Sequence, residues 1–158
     1  MKRLIALAPS GVMLNESGFS RFCRNTPIIG DWVHGAVGAS RMRAAIAQDP
    51  AQVIAAPVIA AQMAELKRKG FLKSILSSRR GLLSTTQERE YRAIAHDGIP
   101  TIVIWGEADT VVPVAAVGRM AQWNRIAHHE IVPGAGHGLP YSHAAEVVSF
   151  LRQMLREN

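Results

Sequence analysis

Residues 99–113 read IPTIVIWGEADTVVP and residues 128–138 read HHEIVPGAGHG. Each is a short apolar run that stops at a Gly-containing turn. The first turn carries an acid, Asp109, and the second an imidazole, His137. Thr101 to Trp105 is β-branched and aromatic, as a strand buried on both faces requires. Arg125 to Val132 supplies the approach to a further strand and its body. Pro113 opens a helix between them, running to about Asn124, because proline's fixed φ suits a first helical turn. Two such strand ends set the acid and the imidazole where ligands sit in open α/β sheets, beyond the carboxyl ends of the strands.

Outward from this stretch, Leu4 to Ala8 is another continuous apolar run and reads as a strand, turned out by Pro9-Ser10-Gly11. Val12 to Asp97 shows no strand and reads as a set of helices. Ile28 to Gln48 has Ile28, Ile29, Trp32, Val33, Ala36 and Val37 at helical spacing. Asp49 and Pro50 suit the cap and first turn of a helix that kinks at Pro57 and stops at Gly70. Phe71 to Ser78 predicts a shorter helix, and Thr85-x-x-Glu88 a capping box. After the loop Pro133 to Pro140, Ser142 is placed to cap a last helix with the stripe Val147, Phe150, Leu151, Met154 and Leu155. Strands alternating with helices predict parallel pairing through right-handed crossovers.

The 158 residues suit one domain, and the net charge is +6. The basic excess gathers at Lys67, Arg68, Lys69, Lys73, Arg79 and Arg80. No aromatic residues interleave with it, so it reads as a solvated helix end and no nucleic-acid partner is expected. A single cysteine, Cys23, cannot form an internal disulfide, which fits a reducing, cytoplasmic location, with Cys23 a packed side chain. MKRLIALAPS imitates a secretory leader, but its apolar run is too short and Pro9-Ser10-Gly11 stops it. No run approaches the roughly 20 apolar residues of a membrane span. His34, His96 and His143 lack metal-ligand spacing, so neither metal nor cofactor is expected.

Asp109 accepting from one ring nitrogen of His137 would fix its tautomer, leaving the other nitrogen as general base. Gly134, Gly136 and Gly138 allow φ > 0 and close backbone approach around that imidazole. Alone, Asp109 reads as a turn or cap residue and His137 as a loop histidine; in this order on successive strand ends, they read as catalytic. Glu107 could also orient a histidine. His128 and His129 are taken to precede the third strand, away from the catalytic end, with no role.

Pro100 to Pro113 and Val132 to Gly138 resemble the acid-bearing strand and the histidine loop of the α/β-hydrolase superfamily, whose chain order is nucleophile, acid, histidine. Leu4 to Gly11 resembles the strand just before that family's helical lid, and Val12 to Asp97 the lid. The family's nucleophile elbow, Gly-x-Ser-x-Gly, occurs nowhere in the chain. Gly38-Ala39-Ser40-Arg41-Met42 comes close, but Met42 stands for glycine and the context is helical. The upstream oxyanion-hole loop is missing as well.

The resemblance therefore implies an incomplete domain over 1–158. It would be a partial α/β-hydrolase fold with about three parallel strands, flanking helices and a lid at 12–97. It implies a hydrolase of an ester or similar acyl substrate, small and apolar, with the nucleophile outside these residues. Whether that nucleophile is Ser or Asp, as in epoxide hydrolases and dehalogenases, stays open. Loss of the serine costs a serine hydrolase on the order of a millionfold in kcat, so little activity is expected of these residues alone. The alternative is a non-catalytic module binding a small molecule or a protein. Ser10, a turn serine at a strand end, and Trp32, in the lid, are the candidate substrate-binding residues. Phe19, Phe22, Phe71 and Tyr91 either line a pocket with Trp32 or pack as core. The bare outer edge of Leu4 to Ala8 predicts a homodimer or an N-terminal partner.

Overall fold

The computed structural model describes residues 2–47 and 56–156. They divide into two compact units. One comprises residues up to Met13 together with Thr86 onward, and the other Leu14–Thr85.

The first unit is built on a parallel sheet of β1 (Leu4–Leu7), β2 (Thr101–Gly106) and β3 (Ala127–Val132), in the order β1-β2-β3. Ala6 lies opposite Val103, and Val103 opposite His129. β2 is buried along its whole length, as a continuous apolar run with a strand on either side should be. Its side chains alternate between two cores. Ile102 and Ile104 pack with Val132, Leu139, Val147 and Met154, under α8 (Ala144–Arg156). Val103 and Trp105 pack with Val12, Val112, Ala116, Met120 and Trp123, under α6 (Ala116–Trp123). Asn124 is fully buried just after α6 and is satisfied there: its Nδ2 donates to Thr101 Oγ1 at 3.2 Å, and its Oδ1 accepts from Ile126 N at 3.3 Å.

The second unit holds α1 (Gly18–Asn25), α2 (Ile29–Ala47), α3 (Ala56–Glu65) and α4 (Phe71–Arg80). Arg80 ties three of them together. Its guanidinium donates to the carbonyls of Cys23 (2.8 Å) and Arg24 (3.2 Å) at the end of α1 and to Asp31 (2.9 Å) in α2. The Arg80 hydrogen bond holds the Asp31 carboxyl below its ordinary range. Arg79 Nη1 donates to Ser20 Oγ. Two members of the basic run thus act inside the unit, and Arg68 pairs with Glu65 at 2.7 Å. Cys23 is fully buried, as its packed role requires.

Several local expectations are corrected. α3 ends at Glu65 rather than Gly70; Lys67 and Arg68 close tighter turns onto Ala64 and Glu65. Gly70, at φ +86°, instead leads into α4, which runs two residues beyond Ser78. α5 (Glu88–His96) starts at Glu88, and the side chain of Gln87 just before it makes no capping hydrogen bond. α5 also falls in the sheet unit, so the helical unit is shorter than 12–97. Ser142 ends a short α7 (Leu139–Ser142) and its hydroxyl bonds the Gly138 carbonyl, so it does not cap α8. Leu155 is 48% exposed and leaves the apolar stripe of α8. The cap at Asp49-Pro50 and the residues preceding the expected kink at Pro57 lie outside the described residues. Among the described residues no helix is long and apolar enough to cross a membrane.

Candidate active site

β2 and β3 end side by side, Gly106 opposite Val132, so the loops that follow them start in contact. Glu107 N donates to Val132 O at 3.1 Å and Ala108 N to Ala135 O at 2.9 Å. This lacing requires Gly106. A Cβ there would overlap the Ala135 carbonyl and stand 2.7 Å from that of Gly136. The Glu107 carboxylate adds a further tie, accepting from Gly134 N at 2.9 Å. It holds the turn rather than a histidine. Among the loop glycines only Gly134 needs a positive φ, +67°; Gly138 sits at −78°.

The acid is set by its own loop. Asp109 Oδ1 accepts from the backbone N–H groups of Val111 and Val112, both at 2.8 Å, in a tight Asx-type turn. Its other oxygen, Oδ2, lies 2.9 Å from His137 Nδ1. An ionised carboxylate only accepts, so Nδ1 carries the proton and donates it. The Asp109 side chain is wholly buried, whereas that of His137 is 43% exposed. Nε2, the nitrogen left to act as a base, has no hydrogen-bond partner among the described residues. This is an oriented imidazole with one nitrogen held and one open.

No other candidate hydrogen-bonds to this pair among the described residues. Ser10 is exposed in the turn after β1, and no hydrogen bond links it to Asp109 or His137. Trp32 belongs to α2 of the helical unit and is 75% exposed. Ser40 lies inside α2, its hydroxyl bonded to Val37 O at 2.8 Å, and neighbouring Gly38 packs on the His34 ring. Gly18-Phe19-Ser20-Arg21-Phe22 has the same partial elbow form and is also helical, with Ser20 buried at 8% exposure. Neither is a strand-to-helix nucleophile turn.

His128 and His129 lie inside β3, not before it. Trp105 Nε1 donates to His129 Nδ1 at 3.2 Å, which puts the His129 proton on Nε2, buried and without a partner among the described residues. Burial, and secondarily His128, pushes the His129 pKa below its ordinary value. Among the described residues no cluster of three or more His, Cys, Asp or Glu could hold a metal.

No family model matches the chain. Among curated proteins, epoxide hydrolase 3 of Xenopus tropicalis is 36% identical over 61 residues, 38% of this chain and 17% of that protein. Epoxide hydrolase 3 of Mus musculus is likewise 36% identical over 61 residues. Solved structures match nearly the whole chain. A thermophilic esterase from Thermogutta terrifontis aligns over 99% of this chain and 56% of its own, with a TM-score of 0.66 and 16% identity. A meta-cleavage product hydrolase from Pseudomonas fluorescens aligns over the same shares with a TM-score of 0.65 and 14% identity. The chain thus spans about half the length of these solved structures and about a sixth of the curated relatives. The parallel sheet, the helices on it and these likenesses agree: the chain has the fold of part of an α/β-hydrolase.

Proposed function

We propose that the chain supplies the acid–histidine portion of a hydrolase that cleaves an ester or similar acyl substrate. The observation that carries this reading is the 2.9 Å bond from a buried, doubly bonded Asp109 to a half-exposed His137. In that role His137 Nε2 takes the proton of the attacking nucleophile and later returns one to the leaving group. Asp109 holds the tautomer and stabilises the imidazolium formed in between. The nucleophile and oxyanion donors come from a segment outside these residues, so the chain alone hydrolyses esters negligibly. The helical unit Leu14–Thr85 serves as the lid, with Trp32 among its substrate-facing residues and Ser10 at the rim of the site.

The test is a chimera in which this chain replaces the corresponding part of a solved α/β-hydrolase that retains its own elbow. A chromogenic short-chain ester is the substrate. Asp109→Asn is expected to lower kcat by about 10⁴, the scale set by the equivalent change in a serine protease, and His137→Ala by at least as much. A folded chimera whose activity ignores both substitutions overturns the reading. Tight binding of a small apolar ligand without turnover would instead support a binding module.

A further inference from the structure

All of the chain's net positive charge lies in the helical unit, and so does an uncovered apolar helix face; we infer that this unit binds the surface of an anionic lipid bilayer. Residues 14–85 hold ten Lys and Arg against four Asp and Glu, whereas the sheet unit holds eight of each. The three acids among the described residues of the helical unit are each taken by an arginine: Glu16 by Arg24, Asp31 by Arg80 and Glu65 by Arg68. Arg21, Arg43, Lys67, Lys69 and Lys73 are exposed and join no ion pair among the described residues. α2 packs against both α3 and α4. Lys73 lies in α4 and Lys67 and Lys69 between α3 and α4, so these cations belong to the helices that flank α2.

α2 is inverted for a helix that faces water. Its buried residues are Gly30, His34 and Gly38. Its opposite face carries Ile29, Trp32, Ala36 and Arg43 at helical spacing, all exposed. Trp32 is 75% exposed and Ile29 59%. Just before α2, Ile28 is 83% exposed and sits at φ +70°, a left-handed conformation that a β-branched side chain resists. The Asp31 carboxylate fixes it there, accepting from Ile28 N at 3.0 Å. The backbone is thus held in a strained state that puts an isoleucine into solvent. α3 is apolar as well, and none of its residues is buried. Single exposed apolar residues need no explanation, but a contiguous set at one helix end does.

Charge and apolarity together select the occupant. A tryptophan and two isoleucines among exposed cations match the interface of a bilayer. There the indole sits at headgroup depth, apolar side chains enter the acyl boundary, and Lys and Arg meet anionic headgroups. A nucleic acid would use the cations but leave Ile28 and Ile29 in water. A second copy would bring together two surfaces of the same sign. The binding is peripheral: among the described residues no helix is long and apolar enough to cross a membrane. It concerns the helical unit alone and does not rest on the proposed hydrolysis. An apolar ester dissolved in the same lipid would also meet Trp32, so the two readings do not compete.

The test is co-sedimentation of the 158-residue chain with vesicles of phosphatidylcholine, alone or mixed with phosphatidylglycerol, read together with tryptophan emission. Trp105 and Trp123 are buried, so a shift to shorter wavelength reports Trp32 entering lipid. The mixed vesicles are expected to pellet the chain and shift its emission, and added salt to release it. The double variant Lys67→Gln, Lys69→Gln should weaken binding by on the order of tenfold. Trp32→Ser should weaken it several-fold and abolish the shift. All three side chains are exposed, and circular dichroism checks that the variants fold. The inference is overturned if the mixed vesicles neither pellet the chain nor shift its emission, or if neutral vesicles do so equally. It also fails if Trp32→Ser binds as well as the parent, the behaviour of a bare polyanion site such as a nucleic acid would occupy. A dimer of the chain alone with Trp32 already buried would overturn it too. Vesicle binding requires no turnover, so a chimera without activity leaves these results standing.

Discussion

At the β2–β3 end of the sheet, main chain and side chains are mutually satisfied. β2 is buried throughout, the two loops are laced by backbone hydrogen bonds, and Asp109 uses both carboxylate oxygens. At the β1 end Ile5 is exposed and, among the described residues, one backbone edge has no neighbouring strand. The difference teaches where the chemistry is stored. An acid–histidine pair needs only two adjacent strand ends and the loops between them, so it assembles from residues about 30 apart in the chain. A nucleophile turn needs a strand and helix of its own, and none of the candidate serines occupies one.

The largest effect should come from Gly106→Ala. Its Cβ would press on two backbone carbonyls that cannot rotate away, costing about 1–3 kcal/mol of unfolding free energy. It should also remove the downfield proton resonance of His137 Nδ1–H. Chemical denaturation and proton NMR read the two effects separately, and a variant as stable as the parent would show that the loops are not laced through Gly106.

Next comes pH. The His129 pKa is lowered by burial first and then by His128, and that of His34 by burial first and then by Arg79. Both fold with pKa values below the ordinary 6.5, so the unfolded chain binds more protons just below that pH. Stability should hold above about pH 7 and fall as pH drops through about 6.5 toward the lowered values. Unfolding midpoints measured from pH 8 to about pH 5 check this, and His129→Gln should flatten part of the slope. A flat profile in the parent would contradict it.

Smaller still is Glu107→Ala, which frees Gly134 N–H and should cost about 0.5–1.5 kcal/mol. Glu107→Gln keeps an acceptor oxygen and should recover most of the loss. If Ala and Gln cost the same, the carboxylate is not holding the turn. Least of all is Ile5→Ala, expected within about 0.5 kcal/mol of the parent in the isolated chain because the side chain is partly in water already. A cost equal to that of Gly106→Ala would erase the contrast between the two ends.

Much of this was legible in the sequence. β2 announces itself by five consecutive strand-forming residues closed by Gly106, and the acid and histidine lie one turn beyond their strands. Their pairing followed from parallel order alone. What was not legible depends on contacts between residues far apart in the chain. Glu107 reaching Gly134 and the carbonyls that force Gly106 have no local signature. The basic run looked like a solvated helix end because nothing in its spacing reveals that Arg80 spans to α1 and α2. His129 was misjudged because element boundaries are the least legible feature of a sequence, and a shift of a few residues places it within β3, half-buried beside Trp105.

The central claim is that His137, oriented by Asp109, is a hydrolase's general base awaiting its nucleophile. The most direct measurement compares ester hydrolysis by three proteins: the chain alone, the elbow-bearing chimera, and the chimera with His137→Ala. The account predicts no turnover above background for the first, turnover for the second, and a loss of about 10⁴ or more for the third. Enzymatic turnover by the chain alone, or a folded chimera indifferent to His137→Ala, would contradict it.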